Sequence, residues 1–79
     1  MTINEIRKFY KMQPFRPFVI HMADGQAIPV KSPEFMASAP NGRTVTVYQP
    51  DSTWDFIDLL LVTRLEIMPG RNGARRRKQ

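Results

Sequence analysis

Residues 13–32 read QPFRPFVIHMADGQAIPVKS, and the rest of the chain is arranged around them. Phe18, Ile20 and Met22 fall on one face of a period-2 pattern, with Val19 and His21 on the other. The segment 23–26, ADGQ, turns the chain, and Ile28 and Val30 resume the alternation. Apolar alternation on both sides of an Asp-Gly pair is the strongest short-range signal of a β-hairpin. Strands are expected at residues 17–23 and 26–31. Pro14 and Pro17 restrict the backbone ahead of the first strand, so the chain enters it extended.

On the N-terminal side, residues 2–12 read as a short helix. Thr2 with Glu5 three residues on has capping-box spacing. Ile3, Ile6 and Tyr10 form one apolar stripe with Phe9 beside them, and Arg7, Lys8 and Lys11 lie on the other side. So short a helix must pack its stripe on a sheet to persist. Pro14 lies just beyond it.

On the C-terminal side, residues 32–34, SPE, interrupt the pattern. Residues 35–38 then form either a brief third strand or a bulged continuation of the second. Residues 39–42, APNG, turn the chain, and 43–49 alternate strictly, with Val45 and Val47 pointing one way and Thr44, Thr46 and Tyr48 the other. After a turn at 50–52, residues 53–57 form a strand with Trp54 and Phe56 on a common face. Three leucines at 59–61 cannot all point inward from one strand, so a 3₁₀ turn capped by Asp58 is expected there. Residues 62–68 close the fold, with Leu65 and Ile67 inward and Arg64 and Glu66 outward. Of the eight aromatic residues, Tyr48 is the one expected to face solvent, and most of the others, Trp54 and Phe56 among them, are expected in the core.

These elements make a mainly β protein: a short N-terminal helix, then a five-stranded, strongly bent antiparallel sheet or small barrel. One domain spans residues 1–70, and residues 71–79 form a disordered basic tail. The chain contains no cysteine, which excludes disulfides and thiolate metal sites and suits a reducing compartment. No run approaches membrane-spanning length or a signal peptide. A cytoplasmic protein without membrane attachment is expected.

Charge is unevenly placed. Residues 1–70 hold seven basic and seven acidic side chains, so the net +5 resides in Arg71, Arg75, Arg76, Arg77 and Lys78. A tail of that kind neutralises up to about five phosphates and gives salt-dependent binding to RNA or DNA. It serves equally as a solvated terminus. Arg7, Lys8 and Lys11 on the helix, and Arg16, extend such a surface if they lie near the tail. Tyr48 offers a ring for stacking on a base or on a partner side chain, or fills an exposed strand position for which tyrosine is suited.

Catalytic and metal chemistry find few residues. His21 is the sole histidine and reads as a surface or hydrogen-bonded position. Asp51, Asp55 and Asp58 follow no calcium-loop spacing, and read as turn and cap residues. The isolated glycines form no phosphate-cradling loop. No catalytic residue, metal ligand or small-molecule cofactor is assigned, and an enzyme is not expected.

The order helix, bent sheet, 3₁₀ turn, closing strand resembles the SH3-like and Sm-like small barrels, which include the bacterial Hfq-type RNA chaperones. The chain is also similar, over nearly all of residues 1–68, to a set of small bacterial proteins. They share the QPFRPF entry (residues 13–18), a His-hydrophobic-x-Asp-Gly turn (21–25), Pro33-Glu34-Phe35 and an IDLLL close (57–61). The first resemblance is architectural, and no Sm RNA-binding residue maps onto this sequence; the weak RNA binding expected here runs through the basic tail. The exposed edges of a small sheet imply the alternative, a protein-interaction or homo-oligomerisation module.

Overall fold

The computed structural model describes residues 1–68; the basic tail expected at residues 71–79 lies outside them. The chain is mainly β. A helix, α1 (Ile3–Tyr10), precedes β1 (Phe18–Met22) and β2 (Ala27–Val30). A 3₁₀ turn (Pro33–Phe35) leads into β3 (Met36–Ser38), followed by β4 (Thr44–Tyr48) and β5 (Trp54–Asp58). A second 3₁₀ turn (Leu59–Leu61) leads into β6 (Val62–Ile67). Among the described residues no helix is long and apolar enough to cross a membrane.

The six strands form two antiparallel sheets, ordered β2–β1–β6 and β3–β4–β5, with no ladder between them. Neither the expected single five-stranded sheet nor a closed small barrel forms among the described residues. Pro33 opens a 3₁₀ turn between β2 and β3, and the chain leaves one sheet for the other across it. Residues 36–38 are a strand in their own right, paired with β4 from Met36 opposite Val47 to Ser38 opposite Val45.

One core serves both sheets. Phe18, Ile20, Ile28 and Val30 from the first meet Met36, Val45, Val47 and Ile57 from the second, with Ile6 of α1 and Leu59 and Val62 completing the cluster. Helix α1 covers this core. Ile6 is fully buried, the Phe9 ring meets Phe18 edge-on at 5.3 Å, and Thr2 and Glu5 form the expected capping box. Burying a side chain of this size contributes about 1.5–3 kcal/mol, enough to hold an eight-residue helix that is marginal alone.

The three hairpins share one turn. Gly25 N–H donates to Met22 C=O, Gly42 to Ala39 and Ser52 to Gln49, each at 3.0 Å. In each, the residue before the donor bonds the backbone two positions on. Asp24 accepts from Gln26 N–H at 3.0 Å, Asn41 from Arg43 at 2.9 Å and Asp51 from Thr53 at 3.0 Å. The donor residue itself has positive φ: 93° at Gly25, 70° at Gly42 and 74° at Ser52. The last is the sole non-glycine with positive φ among the described residues.

The leucine run resolves as expected. Asp58 accepts from Leu60 N–H at 2.9 Å, and the 3₁₀ turn buries Leu59 while leaving Leu60 and Leu61 exposed. Residues 62–67 then pair with β1 from Val62 opposite Met22 to Ile67 opposite Phe18, with a register shift at His21/Met22.

Candidate docking face

The outer face of the β3–β4–β5 sheet is built by register. Val45 and Val47 are fully buried, so Thr44, Thr46 and Tyr48 of the same strand point away from the core. In the β4–β5 ladder Tyr48 lies opposite Trp54, Thr46 opposite Phe56 and Thr44 opposite Asp58. Directly opposed residues share a face, so Trp54 and Phe56 join Tyr48 on the outside. Tyr48 is 47%, Trp54 60% and Phe56 69% exposed.

This corrects the expectation that Trp54 and Phe56 belong to the core. The inward phase of β5 is taken by Asp55 and Ile57, and Ile57 alone satisfies the core opposite Val45. The signal was present in the turn. Three residues, 50–52, separate the paired Gln49 and Thr53, which sets Trp54 opposite Tyr48. Once Tyr48 faces outward, Trp54 must follow.

The rings of Tyr48 and Trp54 lie 6.4 Å apart at 39°. Thr44, Asp58 and Leu60 line one shallow cleft of about 470 Å³ at the other end of the face, so the exposed Leu60 extends it. The three rings leave roughly 350 Å² in water, taking about 150–250 Å² for a whole aromatic side chain. A contiguous apolar patch of that size is within the range that marks interaction sites.

The free edge of β5 belongs to the same site. Gln49 N–H donates to Thr53 C=O at 2.8 Å and Leu59 N–H to Arg43 C=O at 2.9 Å. By the alternation of an antiparallel ladder, Thr53, Asp55, Ile57 and Leu59 direct their backbone groups to β4. Trp54, Phe56 and Asp58 direct theirs outward, where β5 has no neighbouring strand among the described residues.

The basic candidates lie elsewhere or outside the described residues. Arg7 donates to Asn4 Oδ1 at 3.2 Å; its hydrogen bond to Tyr10, with help from Ser38, holds the Tyr10 phenol below its ordinary value. Lys8 lines a groove with Met1, Glu5, Phe9 and Leu65, and Lys11 is exposed at the helix C-cap. Ile3 packs against Gly42, so α1 sits at the Gly42 end of β4. Tyr48 stands six residues further along, about 20 Å at 3.3 Å per residue. The first residue of α1 and Tyr48 therefore stand at opposite ends of β4. Arg71, Arg75, Arg76, Arg77 and Lys78 fall outside the described residues.

His21 and Asp51 have structural partners. His21 Nε2 stands 2.8 Å from Glu66 Oε1, with Arg64 at 3.8 Å from the same oxygen. This links β1 to β6 on the outer face of the first sheet. Asp51 accepts from the Thr53 hydroxyl at 2.6 Å as well as from its N–H, and these two bonds hold its carboxyl below the ordinary range. Among the described residues no three of His, Cys, Asp and Glu cluster as metal ligands would.

Comparison with protein-family models, curated proteins and solved structures finds no match to this chain.

Proposed function

We propose that this protein is a non-enzymatic protein-interaction module of the cytoplasm that docks through the outer face of its β3–β4–β5 sheet. The observation that carries this reading is the exposure of Trp54 and Phe56 beside Tyr48 on the outer face of the sheet. Trp54 and Phe56 alone leave roughly 260 Å² in water, worth about 6 kcal/mol gross if covered. Aromatic anchors of this kind dominate protein interfaces.

The charge around the rings favours a protein over a nucleic acid. A base-stacking platform needs cations beside its rings to meet the phosphates. The opposed pairs of the β4–β5 ladder on this face carry one charge, Asp58. A second reading, weak RNA binding through the tail, is supported by the charge partition: the five basic residues of positions 71–79 account for the whole net charge. The small-barrel resemblance belongs to the same proposal and is supported by the helix-first order and by the 3₁₀ turn before the closing strand.

The test is photocrosslinking in cells, with benzoylphenylalanine replacing Phe56 in the full chain and a control at Ala27, exposed on the other sheet. Protease-sensitive adducts at position 56 and none at 27 are expected. Adducts removed by nuclease instead of protease would overturn the protein reading in favour of RNA.

A further inference from the structure

The two sheets present four strand edges: β2 and β6 in one, β3 and β5 in the other. Unpaired edges invite another strand, and proteins blunt them with proline, charge, bulges, short length or cover. Three of the four are blunted here. On β2, Pro29 lies opposite Val19. Met22 N–H donates to Gln26 C=O at 2.9 Å, and this bond sets Ile28 and Val30 toward β1 and Pro29 toward the free side. Pro29 has no N–H to offer there, and its carbonyl already accepts from the Gln49 side chain at 3.0 Å. Strand β3 is three residues long, and Tyr10 of the helix lies beside Ser38. Strand β6 carries Arg64 and Glu66 and a register shift against β1, with Leu65 lining a groove beside α1.

Strand β5 is the least protected of the four, its charges being Asp55 and Asp58. WDFID contains no proline, lysine or glycine, its ladder to β4 has no register shift, and its outward backbone groups are those of Trp54, Phe56 and Asp58. Resting on the docking face proposed above, we infer that its partner is a second copy of this chain, joined by antiparallel pairing of β5 with β5 about a two-fold axis at Phe56.

The register follows from which residues point outward. Phe56 pairs with itself, and Trp54 pairs with Asp58 of the other copy. These three pairs exchange about six N–H···O=C bonds, two for each hydrogen-bonded pair. The axis is perpendicular to the sheet, so both outer faces lie on one side and the aromatic rings of the two copies form one continuous surface. Asp55 falls opposite Ile57 and Asp58 opposite Trp54, so no acid meets an acid across the axis. Neighbouring registers are less favourable. An axis at Asp55 sets that carboxylate against its own copy, and an axis at Asp55 or Ile57 leaves two hydrogen-bonded pairs within β5, about four bonds instead of six; an axis at Asp58 drives the 3₁₀ turn into its own copy. The pairing buries on the order of 1,000 Å² in total, the small end of specific interfaces. The dimer is therefore expected to dissociate on dilution.

The experiment combines sedimentation equilibrium of the full chain with cysteine trapping, for which the cysteine-free sequence supplies a clean background. In a hydrogen-bonded antiparallel pair the Cα atoms lie about 5.5 Å apart, within disulfide range. Under mild oxidation Phe56→Cys should form at least tenfold more covalent dimer than Trp54→Cys or Asp58→Cys alone. The last two should crosslink when mixed. Position 54 is about 13 Å from its own symmetry mate. Wild-type chain should pass reversibly from monomer to dimer with concentration. Two outcomes overturn the inference: a wild type that stays monomeric into the high-micromolar range, or equal trapping at 54 and 56. Protein adducts at position 56 to a different chain would leave the docking reading standing without self-pairing. Absence of any adduct there would remove the docking reading as well.

Discussion

Ser52 occupies the position where the other two hairpin turns have glycine. Its φ of 74° lies in the left-handed region, where a side chain crowds the following carbonyl at about 1–2 kcal/mol. Ser52→Gly removes that cost and adds the flexibility of glycine in the unfolded chain, about 0.5–1 kcal/mol in the opposite direction. The remainder is a net gain of about 0.5–1 kcal/mol, or roughly 3–6 °C in Tm for a domain of this size. The same turn supplies the reverse experiment. At Gly25, φ is 93° and no atom lies within 4 Å of an added Cβ, so Gly25→Ala tests the backbone term free of any clash and should lose about 1 kcal/mol. Thermal and urea unfolding, followed by circular dichroism, read both. If Ser52→Gly destabilises the fold, or if Gly25→Ala is neutral, the shared-turn argument is wrong.

Two further predictions rest on the same bonds. Asp58→Ala frees Leu60 N–H from its cap and should cost about 1 kcal/mol in urea unfolding; a neutral variant would show that the second 3₁₀ turn is held by Leu59 packing alone. For pH, Glu5 is held below its ordinary value of 4.5 by hydrogen bonds from Thr2, and Asp51 below 3.8 by Thr53. Depressed carboxylates stabilise the folded chain fully above those values, and the contribution is lost as pH falls through their lower folded-state values. Asp51→Asn should keep the turn, as Asn41 does in its own. Its stability deficit relative to wild type should therefore shrink between about pH 5 and pH 3. A deficit that stays constant would assign no part of the acid response to Asp51.

Local structure was legible wherever one residue type meets one backbone need. The Thr2–Glu5 box, the Asp-Gly and Asn-Gly turns, and the Asp58 cap over a leucine run all appear where their chemistry required. What escaped depended on pairing. The single sheet expected from residues 17–68 divides in two because Pro33 turns the chain into a 3₁₀ segment, and nothing local states to which neighbour residues 36–38 then pair. Hydrophobicity alone sends Trp54 and Phe56 inward, although their phase is set across the ladder by Tyr48. For the candidate site, Tyr48 was readable from its own strand, whereas the docking face and the open β5 edge exist only once strands are set side by side.

The pairing of β1 with β6 brings together Phe18 and Ile67, residues forty-nine positions apart, whereas the other three ladders close through short turns. Loop closure over that span costs on the order of 3 kcal/mol of chain entropy. The folding barrier is thus concentrated in one event. Sheet β3–β4–β5 is complete in sequence by residue 58, but β1 waits for the last strand to reach it. Until then one side of β1 stands open, and the fold is, in kinetic terms, a hairpin unit with an unlatched clasp.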